Sequence, residues 1–212
     1  MSSNRKKDEE TFERLKRELI VRPGSAPLHY DMGLAYGRRG DLDEAISEFK
    51  TALELDPGMV EARINLGGMY LRKGNIDAAI RENEKVIEID PNQINAYSNL
   101  GFLYVQLGRL DEGIDLYLKA LAIHNRVPQV HANLGYAYLL KGELEKAIEA
   151  NMKALAISER FAPAHNNLML AFYHKGDIDS ARLHCEKALG LGFLVHPEIR
   201  QVLESHNDLP RE

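Results

Sequence analysis

The sequence predicts an all-α protein, an α-solenoid built from stacked pairs of antiparallel helices. Two observations predict this fold. A pattern of glycine, tyrosine and alanine recurs at a spacing of 34 residues without one insertion, and apolar residues recur within each repeat at helical spacing. One helix pair cannot bury its apolar face alone, so each pair needs its neighbours to complete a core.

The first helix of the first four units is marked by a glycine followed by a tyrosine, and unit five has Met169 and Phe172 at these positions. Leu66-Gly67 recurs as Leu100-Gly101 and Leu134-Gly135, and a tyrosine follows each glycine by three residues. Small residues at this point let two helix backbones approach closely. The pattern divides the repeat region into five units, at residues 26–59, 60–93, 94–127, 128–161 and 162–195.

A second glycine ends the first helix of every unit, where a left-handed C-cap is expected. These glycines are Gly40, Gly74, Gly108, Gly142 and Gly176. Asp41, Asn75 and Asp177 come next and are predicted to be N-caps of second helices. Each unit is therefore predicted to be a helix, a tight turn and a second helix.

The sequence predicts one further helix at each end. Residues 1–25 hold a tail and a degenerate half-repeat, whose helix runs over residues 8–22 with Phe12, Leu15, Leu19 and Ile20 facing inward. Residues 196–212 hold a capping helix, from Pro197 through about Ser205, and a tail. Terminal caps of this kind cover apolar faces that a solenoid would otherwise expose.

The spacing resembles that of the tetratricopeptide repeat, and the resemblance covers residues 26–195. It implies a right-handed superhelix whose first helices line a concave surface. It also implies that the function is protein binding rather than catalysis, because members of the family serve as adaptors and scaffolds.

Composition excludes several other classes of protein. The chain has 212 residues, 27 Lys and Arg against 32 Asp and Glu, and one cysteine. The acidic balance argues against a nucleic-acid partner, and a single thiol cannot build a disulfide framework, which favours a reducing, cytoplasmic location. We expect neither a secretion signal nor a membrane span, because the sequence has no long apolar run.

A search for catalytic or metal-binding patterns yields no site, so we expect a non-enzymatic chain without a cofactor. His29, His131 and His165 share the fourth position of their units. Equivalent helices lie about 10 Å or more apart, too far for one metal ion, so each ring is predicted to fill a slot usually held by an aromatic residue. Cys185 is predicted to be buried and inert.

Asparagine recurs at the sixth position of the units. The residues there are Asp31, Asn65, Asn99, Asn133 and Asn167. Asparagine is a poor residue for a helix interior, so the row needs a reason. Its amides could pair with the backbone of an extended peptide, or they could tie neighbouring helices together; the sequence leaves both open. Asn83 and Asn151, on second helices, are expected to bond local backbone or water.

Other positions on the predicted concave surface would set the preference for a partner. Arg38 and Arg72 make one end basic, while Phe102, Tyr136 and Tyr173 are candidate aromatic anchors. The leading hypothesis is an adaptor that binds an extended segment of a partner protein. The alternatives are a scaffold that assembles with copies of itself through the solenoid ends, and a non-catalytic subunit of an enzyme complex such as a glycosyltransferase system.

Overall fold

The computed structural model describes the backbone of residues 2–205 and the side chains of residues 7–203 and 205. These residues form α-helices and no strand, which confirms the predicted fold class. The helices are α1 (Ser2–Val21), α2 (Ala26–Arg39), α3 (Leu42–Leu55), α4 (Val60–Arg72), α5 (Ile76–Ile89), α6 (Ile94–Gln106), α7 (Leu110–Ile123), α8 (Pro128–Leu140), α9 (Leu144–Ile157), α10 (Ala162–Lys175), α11 (Ile178–Gly190) and α12 (Pro197–Ser205).

The chain divides into two compact units, Met1–Leu103 and Tyr104–Glu212. In the first, α2 packs on α3, α4 packs on α5, and α3 joins the two pairs by contacting α4. The core between them is formed by Ala45, Ile46, Phe49, Ala52, Leu53, Ala62 and Leu66. α1 covers α2, where Phe12 and Leu15 are buried with Leu28 and Met32.

In the second unit α8 packs on α9 and α10 packs on α11, while α9 contacts α10 and α7 contacts α8. α12 closes this unit against α11. Leu203 is buried there with Met169 and Cys185, and Ile199 packs against the same cluster. The predicted capping role of α12 and the predicted burial of Cys185 are therefore both observed.

The turns between paired helices follow the glycine pattern. Gly40, Gly74, Gly108, Gly142 and Gly176 all have φ between 75° and 89°, the left-handed region that glycine adopts without a steric penalty. Asn75 and Asp177 cap the next helix by accepting from the backbone N–H of Ala78 and Ser180. Asp41 does not form the predicted cap, because its carboxylate pairs with Arg39 at 3.4 Å.

The N-terminal helix differs from the prediction in two respects. It begins at Ser2 rather than Asp8, since no proline or glycine interrupts the segment between them. Ile20 is 81% exposed, so its prediction as an inward residue is wrong. Phe12, Leu15 and Leu19 already complete one helical stripe, and Ile20 lies about 80° beyond its edge.

Candidate functional site

The predicted binding residues lie on the first helices of the pairs, and we call the surface that they form within each compact unit the first-helix face. Asp31, Arg38 and Arg72 are exposed, while Asn65, Asn99 and Asn133 are half-buried. Asn167 is buried, at 7% exposure. Within the first unit the face holds Asp31, Arg38, Asn65, Arg72, Asn99 and Phe102; within the second it holds Asn133, Tyr136, Asn167 and Tyr173.

The structure brings the two predicted arginines together. Arg38 on α2 and Arg72 on α4 line one pocket of about 310 Å³, whose apolar wall includes Leu34, Phe49 and Met69. The guanidinium of Arg72 donates to the carbonyl oxygen of Gly37 at 2.8 Å, which holds it over the neighbouring helix. The pocket thus combines two guanidinium groups with an apolar floor, a combination suited to a carboxylate beside an apolar side chain.

Asn99 forms an inter-helical tie that the sequence left open. The amide nitrogen of Asn83, on α5, donates to the carbonyl oxygen of Ala79 at 2.8 Å. Because that oxygen can only accept, the side-chain oxygen of Asn83 must face Asn99, whose amide nitrogen donates to it at 3.1 Å. Asn99 therefore directs its N–H groups toward the scaffold.

The same arrangement recurs in the second unit with Asn151 and Asn167. Asn151, on α9, donates to the carbonyl oxygen of Ala147 at 2.8 Å and accepts from Asn167 at 3.1 Å. The amide nitrogen of Asn167 also donates to the carbonyl oxygen of Ala132, on α8, at 3.0 Å. Both amide hydrogens of Asn167 are thus used within the fold.

The other two asparagines have different partners. The amide nitrogen of Asn65 donates to the hydroxyl of Tyr30 at 3.2 Å and to the carbonyl oxygen of Glu61 at 2.8 Å. Asn133 accepts from Gln129 at 2.7 Å, within its own helix. Asn65, Asn99 and Asn167 therefore tie helices together, whereas Asn133 makes no such tie among the described residues.

These bonds leave part of the row available. No donor in the described part of the chain contacts the side-chain oxygens of Asn65, Asn99 or Asn167, and none of the three is buried without a partner. An amide that donates inward still has an acceptor to offer. The two interpretations of the row, ties between helices and contacts to a peptide, are therefore compatible at these positions.

The aromatic candidates differ in how much surface they offer. Phe102 and Tyr136 are each 38% exposed, which is high for large apolar side chains on a packed helix. Tyr173 is half-buried against the core around Met169 and makes an edge contact with His174. Phe102 and Tyr136 are thus better placed than Tyr173 to anchor a partner.

A stability measurement can separate the two roles of the asparagines. We expect Asn167→Ala to lower the free energy of unfolding by about 2 kcal/mol, because the change removes two hydrogen bonds and leaves the buried side-chain oxygen of Asn151 unpaired. Asn133→Ala should change it by less than about 0.5 kcal/mol, because its bond lies on the helix surface. Urea unfolding of both variants checks this, and equal losses would contradict the assignment of ties.

Four of the five fourth-position side chains share a contact that the sequence did not show. The three histidines at this position contact the carbonyl oxygen of the residue six places earlier: His29 reaches Pro23, His131 reaches Asn125, and His165 reaches Glu159, at 2.8–3.1 Å. The guanidinium of Arg63 makes the same contact with Pro57 at 3.1 Å. The position therefore joins successive helix pairs by a polar bond.

Two further features bear on the class of protein. The described residues include no group of three or more His, Cys, Asp or Glu side chains that could hold a metal ion. None of the described helices has the length and apolar character needed to cross a bilayer.

Comparisons with known families agree with the repeat pattern. Three family models, each described as a tetratricopeptide repeat, match residues 26–47, 38–100 and 92–160. No curated protein sequence matches the chain.

Several solved structures share the fold. MamA is 32% identical, and the match covers 76% of this chain and 94% of MamA with a TM-score of 0.65. YrrB, described as a TPR protein with an unusual peptide-binding site, is 16% identical over 92% of this chain and 98% of its own, with a TM-score of 0.64. The Cut9–Hcn1 hetero-tetramer of APC/C matches at 21% identity over 94% of this chain and 39% of its own, with a TM-score of 0.80.

Proposed function

The chain belongs to the tetratricopeptide-repeat family, and we propose that it is an adaptor that binds an extended segment of a partner protein along its first-helix face. The observation that carries the proposal is the orientation of the asparagine amides. The amide nitrogens of Asn65, Asn99 and Asn167 donate to the scaffold, which fixes the side chains and leaves oxygens that can accept from the backbone N–H groups of a peptide.

The arginine pocket supports a preference at one end of the face. Arg38 and Arg72 flank an apolar floor, so we expect the bound segment to place an acidic group there beside an apolar side chain. Exposed Phe102 and Tyr136 supply apolar anchor points of the kind that dominate binding energy in interfaces. That YrrB is described as having a peptide-binding site is consistent with this use of the fold.

The test begins with peptides selected from a displayed random library against the full chain. We expect the selected peptides to be enriched in acidic residues, and their affinity to fall about tenfold in the Arg38→Gln/Arg72→Gln variant, because charge-assisted hydrogen bonds are lost. Calorimetry measures the affinity. Asn133→Ala should also weaken binding, because the oxygen of Asn133 accepts from Gln129 and its amide nitrogen is the group left to donate to a peptide carbonyl. Because this residue ties no helices together, its effect would report on the peptide.

The matched control removes the same two charges elsewhere. Arg81 and Lys119 are exposed on second helices, so Arg81→Gln/Lys119→Gln should leave the affinity for the selected peptides unchanged. Circular dichroism verifies that each variant keeps its helix content. If the arginine variant and the control lose affinity equally, or if neither does, the first-helix face is not the binding surface.

A further inference from the structure

Fourth-position side chains in three repeats meet a partner from the second helix of the same pair. The Nδ1 atom of His29 lies 2.6 Å from the carboxylate of Glu48, and the guanidinium of Arg63 lies 3.2 Å from that of Glu82. In the last repeat the partner of His165 is His184, 19 residues later. A buried polar group at the fourth position is thus normally paired.

His131 is the exception. It is only 8% exposed, and its Nδ1 atom is buried without a partner among the described residues. Its Nε2 atom donates to the carbonyl oxygen of Asn125 at 2.8 Å, just as Nε2 of His29 and His165 is used. The residue 19 places later is Ala150, which has no group to offer Nδ1.

A pocket lies beside Ala150. It has a volume of about 370 Å³ and is lined by both His131 and Ala150. Its apolar walls come from Leu118 and Leu121 on α7 and from Leu134 and Tyr138 on α8. The unpaired Nδ1 atom therefore belongs to a side chain that lines an open apolar pocket, away from the first-helix face.

The hydrogen bond at Nε2 defines what Nδ1 can bind. A carbonyl oxygen only accepts, so Nε2 of His131 carries a hydrogen, and in the neutral ring Nδ1 is an acceptor. A carboxylate at Nδ1 requires a proton there as well, which gives the imidazolium–carboxylate pair that His29 and Glu48 can form. The His29–Glu48 pair therefore shows the kind of partner that Nδ1 of His131 lacks: a carboxylate.

The charges around the pocket favour an anion. Lys146, Glu149 and Lys153 also line it. A second pocket, of about 530 Å³, shares His131 and Lys153 and adds Arg126. Three cationic side chains thus face one carboxylate in the two pockets. Lys146 and Lys153 already pair with Glu143 and Glu149, so the excess is moderate and suits a single negative group.

The rim of the pocket continues as exposed apolar surface. Leu118 and Met152 occupy the same position in consecutive second helices and are 45% and 50% exposed. In the other repeats that position holds charged residues: Lys50, Glu84 and Glu186. The change from charged to apolar occurs on α7 and α9, the two second helices that border the pocket. A partner bound in the pocket therefore has further apolar surface to contact beside it.

We propose that this pocket binds an acidic side chain of a partner protein, flanked in the partner by apolar side chains. The carboxylate pairs with His131, which takes up a proton at Nδ1, and the flanking groups cover Leu118 and Met152. The site lies apart from the first-helix face and stands independently of the function proposed above.

Two short peptides test the proposal on the full chain. The probes are acetylated and amidated Leu-Glu-Leu and its neutral counterpart Leu-Gln-Leu. With ¹⁵N-labelled histidine, the glutamate peptide should move the Nδ1 signal of His131 to its protonated position, and the glutamine peptide should bind about tenfold more weakly, because an ionised acceptor makes the stronger bond. Equal binding of both peptides would overturn the proposal.

Two variants complete the test. Ala150→Glu places a carboxylate where Glu48 and Glu82 stand, so His131 should be protonated without peptide and peptide binding should be lost. His131→Phe keeps an aromatic ring in the slot, as Tyr97 does, and should also lose binding; it decides the matter if Ala150→Glu does not fold. Binding that survives both variants, or propionate binding as tightly as the glutamate peptide, would contradict the site.

Discussion

Replacing Gly135 with alanine is expected to lower the free energy of unfolding by about 3 kcal/mol, because the change overfills a closed contact and breaks a buried hydrogen-bond pair. An alanine Cβ at this position would overlap the amide nitrogen of Asn151 and lie 2.7 Å from its Cγ. The same Cβ would also lie only 3.1 Å from the backbone carbonyl oxygen of Ala147.

Asn151 cannot move aside without losing its partners. It is fully buried, its nitrogen donates to the carbonyl oxygen of Ala147, and its oxygen accepts from Asn167. Any rotation that makes room for a methyl group leaves buried polar atoms unpaired, which costs about 1–3 kcal/mol for each. Urea unfolding followed by circular dichroism measures the loss.

The matched control is Gly68→Ala, in the second repeat. Gly68 also lies inside a helix, but a Cβ there would have no atom within 4 Å, so alanine should stabilise by about 0.5–1 kcal/mol through its better helix propensity. Combining Gly135→Ala with Asn151→Ala should cost less than the sum of the single changes, because the clash is gone. A Gly135→Ala variant as stable as the parent would show that Asn151 repacks freely.

Much of the fold could be predicted from the 34-residue period, because the recurring residues mark where helices end and where they pack closely. Left-handed turns need glycine, and first helices need small residues where backbones approach. These are local requirements, and so they leave a mark at fixed positions. The glycines with positive φ were predictable in this way, as was the packing of α1 on α2 through Phe12 and Leu15. The helix at Pro197–Ser205 was predictable from the proline at its start.

The pairing of asparagines could not be predicted, because it depends on two positions in different 34-residue repeats. Asn99 and Asn167 bond Asn83 and Asn151, which occupy the same position in alternate repeats. In the first repeat the position of Asn83 and Asn151 is held by Phe49, which offers no hydrogen-bond acceptor. The amide of Asn65, in the next repeat, therefore bonds other partners. The sequence does show that both members of the pair, Asn83 with Asn99 and Asn151 with Asn167, recur after 68 residues. Only the side-chain geometry shows that the two members are in contact.

Lowering the pH from 7 to 4 is expected to destabilise the second unit through the buried pair His165 and His184. Nε2 of His165 donates to the carbonyl oxygen of Glu159, so its Nδ1 must accept from Nδ1–H of His184 at 2.9 Å. His184 is 9% exposed and stacks on Phe172. Both rings are therefore held in the neutral form.

The direction of the pH effect follows from the pKa values of the two rings. Burial, followed by repulsion from His165 and Lys187, lowers the pKa of His184 from 6.5 to about 4. Burial also lowers the pKa of His165. Below pH 6.5 the unfolded chain takes up protons that the folded chain excludes, so stability falls between pH 6.5 and 4, by about 2–3 kcal/mol for His184 alone.

His29 should act in the opposite direction. Burial favours its neutral form, but hydrogen bonds to Glu48 and to the carbonyl oxygen of Pro23 outweigh this effect and raise the pKa of His29 above 6.5. Its stabilising contribution is therefore complete below pH 6.5 and is lost as the pH rises through the folded value. Histidines at the same repeat position, His29 and His165, therefore change the stability in opposite directions as the pH falls.

Replacing His184, the partner of His165, should reverse the direction in which stability changes with pH. His184→Glu gives His165 the carboxylate that His29 has, so the loss of stability between pH 6.5 and 4 should disappear relative to the parent. His184→Gln is the matched neutral variant, because its amide can still donate to Nδ1 of His165 but does not titrate. Urea unfolding at several pH values measures both. If the parent and His184→Gln lose stability in parallel below pH 6.5, then the histidine pair is not the source of the acid sensitivity, and titrating carboxylates elsewhere in the chain account for it.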